Sequence, residues 1–126
     1  MNAMTAMKQY QRVSVHSEVF EASPHRLIQM LMEGALERTA QARGAIQRER
    51  FAEKGELIGK SISIIGGLRE PLDHEVGGEL SQNLDSLYEY MISRLLEANR
   101  GNDIAALDEV SNLLREVKSG WDAIGH

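Results

Sequence analysis

The stretch Leu80-Ser81-Gln82-Asn83-Leu84-Asp85-Ser86-Leu87-Tyr88-Glu89-Tyr90-Met91-Ile92-Ser93-Arg94-Leu95 decides the fold. Leu80, Leu84, Leu87, Met91 and Leu95 recur at steps of four, three, four and four, which is the period of one face of an α-helix. Tyr88, Ile92 and Leu96 widen that face, so the helix is expected to touch more than one neighbour. The spacing predicts that it ends before the Asn99-Arg100-Gly101-Asn102 turn.

The same period recurs on both sides. Upstream, Pro71 stops a preceding helix, and Asp73 to Gly78 read as a turn with permissive backbone at Gly77-Gly78. That preceding helix runs from near Phe51 to Leu68 or Arg69, and Leu57, Ile58, Ser61, Ile62, Ile64, Ile65 and Leu68 give it a broad apolar surface. The width fits either a helix with two neighbours or one with a docking groove left open. Further upstream, Ser23 is placed to cap a helix and Pro24 to occupy its first position, where a missing N–H costs nothing. Leu27, Met30, Leu31, Ala35, Leu36, Ala42 and Ile46 form its face, with an end expected between Gln47 and Arg50. Gly34 costs about 1 kcal/mol of helix propensity and marks a place where a neighbouring backbone comes close. Downstream, Asn102 or Asp103 caps a last helix with Ile104, Leu107, Val110, Leu114, Val117 and Trp121 as its stripe.

Four amphipathic helices joined by short links predict an all-α fold, an antiparallel up-down four-helix bundle over residues 23–121. Residues 1–22 form an N-terminal arm, partly disordered or weakly docked, and 122–126 a short C-terminal tail. The arm carries Met4, Met7, Tyr10, Val13, Val19 and Phe20 among polar residues, too little contiguous apolar surface to fold alone.

Composition removes several function classes. The 126 residues contain no cysteine, which excludes disulfides, thiolate metal sites and cysteine nucleophiles. The 19 acidic and 14 basic side chains give a net charge of −5. From Ile64 onward there are 12 acidic and 5 basic residues, a net of −7, which repels phosphate and argues against nucleic acid. No apolar run approaches the roughly 20 residues of a membrane span, so membrane insertion is not expected and the chain reads as cytoplasmic. The four histidines stand apart at His16, His25, His74 and His126, without His-Glu-x-x-His or Glu-x-x-His, so neither a metal nor a cofactor is expected. Glu33/Glu37 and Glu49/Glu53 read as solvated faces pairing locally with Arg38, Arg50 and Lys54. An enzyme is not expected, and what remains is apolar surface fit for an amphipathic segment of another chain.

Particular residues carry a family resemblance. Tyr10-Gln11 in the arm, Ala22-Ser23-Pro24-His25-Arg26-Leu27-Ile28 and Met30-Leu31-Met32-Glu33-Gly34-Ala35-Leu36 open it. Lys60-x-Ile62-x-Ile64-Ile65-x-x-Leu68, Leu72-Asp73, Gly77-Gly78-Glu79-Leu80-Ser81-Gln82-Asn83-Leu84, Leu87-Tyr88-Glu89-Tyr90-Met91 and Ala98-Asn99 continue it, and Val110 through Trp121 closes it. In order and spacing the chain resembles the flagellar secretion chaperones that bind flagellin. The resemblance implies a cytoplasmic, non-enzymatic bundle that holds the disordered C-terminal region of flagellin, prevents premature polymerisation and assists type III export, with export-gate components as a further partner. It implies an arm that lies over part of the client surface. By resemblance Tyr10 is the arm contact, with Ile58, Ile62 and Ile65 on the second helix and Asn83, Leu84, Leu87 and Tyr88 on the third as groove candidates. Helical phase leaves a place in the core as the alternative for each of these bundle residues. Met32 stands where such chaperones often carry tyrosine, so a phenol is absent there.

Overall fold

The computed structural model describes residues 22–72 and 74–125. Helix α1 (Pro24–Gln47) begins as the sequence predicts: Ser23 Oγ accepts the backbone N–H of Arg26 at 3.1 Å, with Pro24 following. Helix α2 spans Phe51–Arg69, α3 His74–Gly101 and α4 Ile104–Ile124. α1 packs on α2 and α4, and α3 packs on the same two helices, which closes the bundle into a ring of four. Links of three, four and two residues leave no room for crossover connections, so consecutive helices run antiparallel.

One apolar stripe from each helix meets at the centre: Met32, Ala35 and Ala42 of α1, Ile58, Ile65 and Leu68 of α2, Tyr88, Met91, Leu95 and Ala98 of α3, and Leu107, Val110 and Leu114 of α4. None of these faces is stable in water alone, and burying them together supplies the tertiary energy that short helices lack. α1 and α2 come especially close. A methyl group at Gly34 would stand 3.4 Å from Ile64 Cδ1, an ordinary contact with a side-chain tip, so the close backbone expected from the sequence is not what faces this glycine. Two buried hydroxyls share this contact. Thr39 Oγ1 donates to Ala35 O at 2.8 Å and lies 2.9 Å from Ser61 Oγ, which keeps both satisfied without water.

Three boundaries differ from the sequence reading. Residues expected as the Asp73 to Gly78 turn enter α3 from His74, and the chain bends inside the helix at Gly78 (φ 53°, ψ −131°), a conformation that side-chain-bearing residues avoid. α3 also continues to Gly101 instead of ending before Asn99. It stops only where Asn102 takes φ 52°, and the Lys54 ammonium caps it by donating to Asn99 O and Asn102 Oδ1, both at 2.7 Å. α4 runs past Trp121 to Ile124, its last turns tied to α1 by Gln29 donating to Asp122 Oδ1 at 2.7 Å. Asp103 caps α4 as expected, accepting from Ala106 N at 3.2 Å.

Candidate functional site

Two seams of the bundle carry the residues singled out by sequence, and α3 contributes a different side to each. On the α2–α3 seam, Arg69 donates to Asp85 through Nε at 2.6 Å and Nη2 at 3.1 Å. At the far end of the same seam, Gly55 lies level with Asn99. These two contacts fix an antiparallel register in which Ile62 is level with Ile92. Both are half-buried against the core, and Leu96, one turn beyond Ile92, is 54% exposed.

The α2 side of this seam is nearly bare. Gly55, Gly59 and Gly66 share a face with Ile62 by their spacing of four, three and four. A methyl group at Gly59, Gly66 or Gly67 would meet nothing within 4 Å, so packing inside the bundle requires none of these glycines. Each costs about 1 kcal/mol of helix propensity relative to alanine. The result is a shallow trough, floored by α2 backbone and Ile62 and walled by Ile92 and Leu96, which a second helix can approach closely.

The α3–α4 seam has another character. Tyr90 donates its hydroxyl to Glu109 (2.9 Å to Oε2), and Arg94 Nε donates to Glu109 Oε1 at 2.6 Å while its guanidinium also holds Glu97. Hydrogen bonds from Arg94 and then Tyr90 hold the Glu109 carboxyl below the usual range. The bond to Glu109 pushes the Tyr90 phenol up, with burial adding to it. Asn83, Leu87, Tyr90 and Arg94 follow one another at steps of four, three and four, so Asn83 and Leu87 belong to this side of α3.

The expected groove residues therefore separate. Ile62 lines the α2–α3 seam, whereas the exposed Asn83 and half-buried Leu87 lie towards α4. Leu84 points with the core stripe and is half-buried near the start of α3. Ile58, Ile65 and Tyr88 take the alternative left open for them. All three are in the core, Tyr88 only 3% exposed and its phenol pushed up by desolvation. In this arrangement they hold the walls and offer no surface. Tyr10 lies outside the described residues. Sequence reasoning missed the bare glycine face and treated Ile92 and Leu96 only as widening, although the helical spacing of Gly55, Gly59 and Gly66 was visible. Among the described residues no cluster of histidine and carboxylate side chains is placed to hold a metal ion, and no helix is long and apolar enough to cross a membrane.

Comparison with known proteins bears on which proteins carry such a bundle. The family model described as flagellar protein FliS matches residues 6–126. This chain belongs to the FliS family. It is 69% identical to the flagellar secretion chaperone FliSB of Pseudomonas aeruginosa over 126 residues, all of both chains. It is 45% identical to the flagellar secretion chaperone FliS of Salmonella typhimurium over 98% of this chain and 93% of that one. The Vibrio cholerae chaperone of the same name is 44% identical over 94% and 88%. These matches extend over nearly the whole length of the bundle.

Proposed function

We propose that this FliS-family chain is a cytoplasmic flagellar export chaperone, not an enzyme, that holds the disordered C-terminal region of flagellin, keeps it from polymerising early and assists its type III export. The observation that carries the reading is the near full-length similarity to flagellar secretion chaperones. The geometry supports it through the α2–α3 trough, whose apolar wall and glycine floor suit a helical turn of an otherwise unfolded client. Ile62, Ile92 and Leu96 supply desolvated contact for an apolar face of the client. Wrapping further client around the bundle offsets its ordering cost with a large buried surface. The arm bearing Tyr10 covers client surface until the client arrives, and export-gate components receive the loaded chaperone.

Titrating the isotope-labelled chain with the C-terminal region of flagellin tests this. Saturable amide shifts at Ile62, Ile92 and Leu96 with a 1:1 complex mass are expected. No binding at concentrations on the order of 10 μM, with both partners intact, overturns the assignment.

A further inference from the structure

The α3–α4 seam is not needed for the trough above, and its chemistry is of a different kind. Tyr90 and Arg94 meeting Glu109 set a register in which Leu87 is level with Leu113, and both are half-buried. Leu80, 68% exposed, extends this apolar line towards the start of α3. Beside it an open depression of about 410 Å³ is lined by Ala105, Glu109, Leu113 and Glu116 among others.

The rim of this groove is mainly acidic. By helical spacing, Glu79 and Glu97 share the row of Asn83 and Tyr90 on α3, and Glu109 and Glu116 share the row of Ala105 on α4. Four carboxylates meet one guanidinium, Arg94, a formal charge of −3. The basic residues of α4 face elsewhere: Lys118 reaches Asp122 and Glu33, and Arg115 lines the α1–α4 side with Arg43. The wider molecule repeats the bias. Residues 24–69 carry 8 basic and 5 acidic side chains, whereas residues 74–124 carry 4 and 10.

An apolar line with carboxylates on both banks and a rim tyrosine complements a helix that is apolar on one face and lysine- or arginine-rich on its flanks. We propose that the α3–α4 seam is a second docking surface, for a basic amphipathic helix of a protein partner distinct from the flagellin segment. Leu87 and Leu113 take its apolar face, Tyr90 packs at its edge, and Glu79 and Glu116 meet its cations. The assignment stands independently of the flagellin reading.

The test titrates the full labelled chain with a synthetic amphipathic helix of leucine and lysine, and with its counterpart carrying glutamate for lysine. The lysine helix is expected to give saturable 1:1 shifts at Leu87, Tyr90, Ala105 and Leu113, and the glutamate helix none. The double substitution Glu79→Lys and Glu116→Lys, at two exposed positions, should weaken the lysine helix about tenfold or more while leaving binding of flagellin's C-terminal region unchanged. Shifts scattered over the surface, equal binding of the glutamate helix, or indifference to the double substitution overturns the proposal. Absence of flagellin binding alongside a normal lysine-helix response overturns only the chaperone assignment.

Discussion

At the end of the bundle where α1 turns into α2 and α3 into α4, the links are short and a buried lysine ties one helix to the next; at the end where α2 turns into α3, the chain is bent and Leu80 stands in solvent. The tied end uses links of three and two residues, left-handed Glu49 and Asn102, the Asp103 cap, and a lysine only 7% exposed whose ammonium closes the last turn of α3. The open end has the Gly78 bend, Leu80 and Ile124 each 68% exposed, and one aromatic clasp, Trp121 stacked on His25 at 4.8 Å. The arm's chain also enters the bundle at this end. The short, capped turns therefore lie at the end opposite the one where residues 22 and 23 lead into α1.

The largest effect expected from breaking this contrast lies at the tied end. Lys54→Met keeps the apolar stem but removes two charge-assisted hydrogen bonds, leaving Asn99 O and Asn102 Oδ1 without their donor. A loss of about 3 kcal/mol in urea-unfolding free energy is expected. A loss under about 1 kcal/mol would mean water replaces the ammonium and the end is not tied by it. Gly78→Ala comes next. Its φ and ψ are open essentially to glycine alone, so a cost of about 2 kcal/mol is expected, together with loss of amide protection at the start of α3. An unchanged urea midpoint would show that the bend relaxes freely.

The contrast also explains what was legible in the sequence. Element identity was legible because the stripes of α1, α3 and α4 keep a helical period, and Ser23, Pro24 and Asp103 announce two starts by chemistry that acts within one turn. The Gly78 bend was not, since a glycine pair reads as a turn whether the helix starts before or after it. Lys54 was not, because among Glu53 and Glu56 it looks like a solvated face; only the tertiary position of Asn99 gives it an acceptor. In α2 apolar residues cover two sides, so sequence could not separate buried Ile58 and Ile65 from half-buried Ile62. The register set by Arg69 and Asp85 separates them.

Smaller effects belong to the clasp at the open end. Trp121→Phe retains an aromatic face for His25 but removes the indole N–H donated to His25 O at 3.0 Å, with an expected cost of about 1 kcal/mol. Acid should act on the same end. Lys118, then Gln29, hold the Asp122 carboxyl below its usual range, so its contribution is present above the ordinary aspartate range and is lost as pH falls through the lowered value. Amide protection, with exchange rates corrected for their intrinsic pH dependence, is expected to fall between pH 5 and pH 3 in the last turns of α4 before it does around Asn99 and Asn102. Simultaneous loss at both ends would remove the distinction.

The least effect on stability is expected from two leucines that solvent already reaches. Leu80→Ser at the open end and Leu96→Ser nearer the tied end should each shift unfolding free energy by no more than about 0.5 kcal/mol, because neither removes a buried side chain. Their consequences for binding should nevertheless differ. Leu96 walls the α2–α3 trough, so burying it under a client helix gains on the order of 1.5 kcal/mol, and its loss should weaken the flagellin segment about tenfold. Leu80 lies on the line leading to the α3–α4 seam, and its loss should leave that affinity unchanged. Exposure is nearly matched between the two, so a difference measured by calorimetric titration reports position on the bundle and not hydrophobicity. Equal losses would mean that the client covers both leucines, and position in the trough would then not be what sets the affinity.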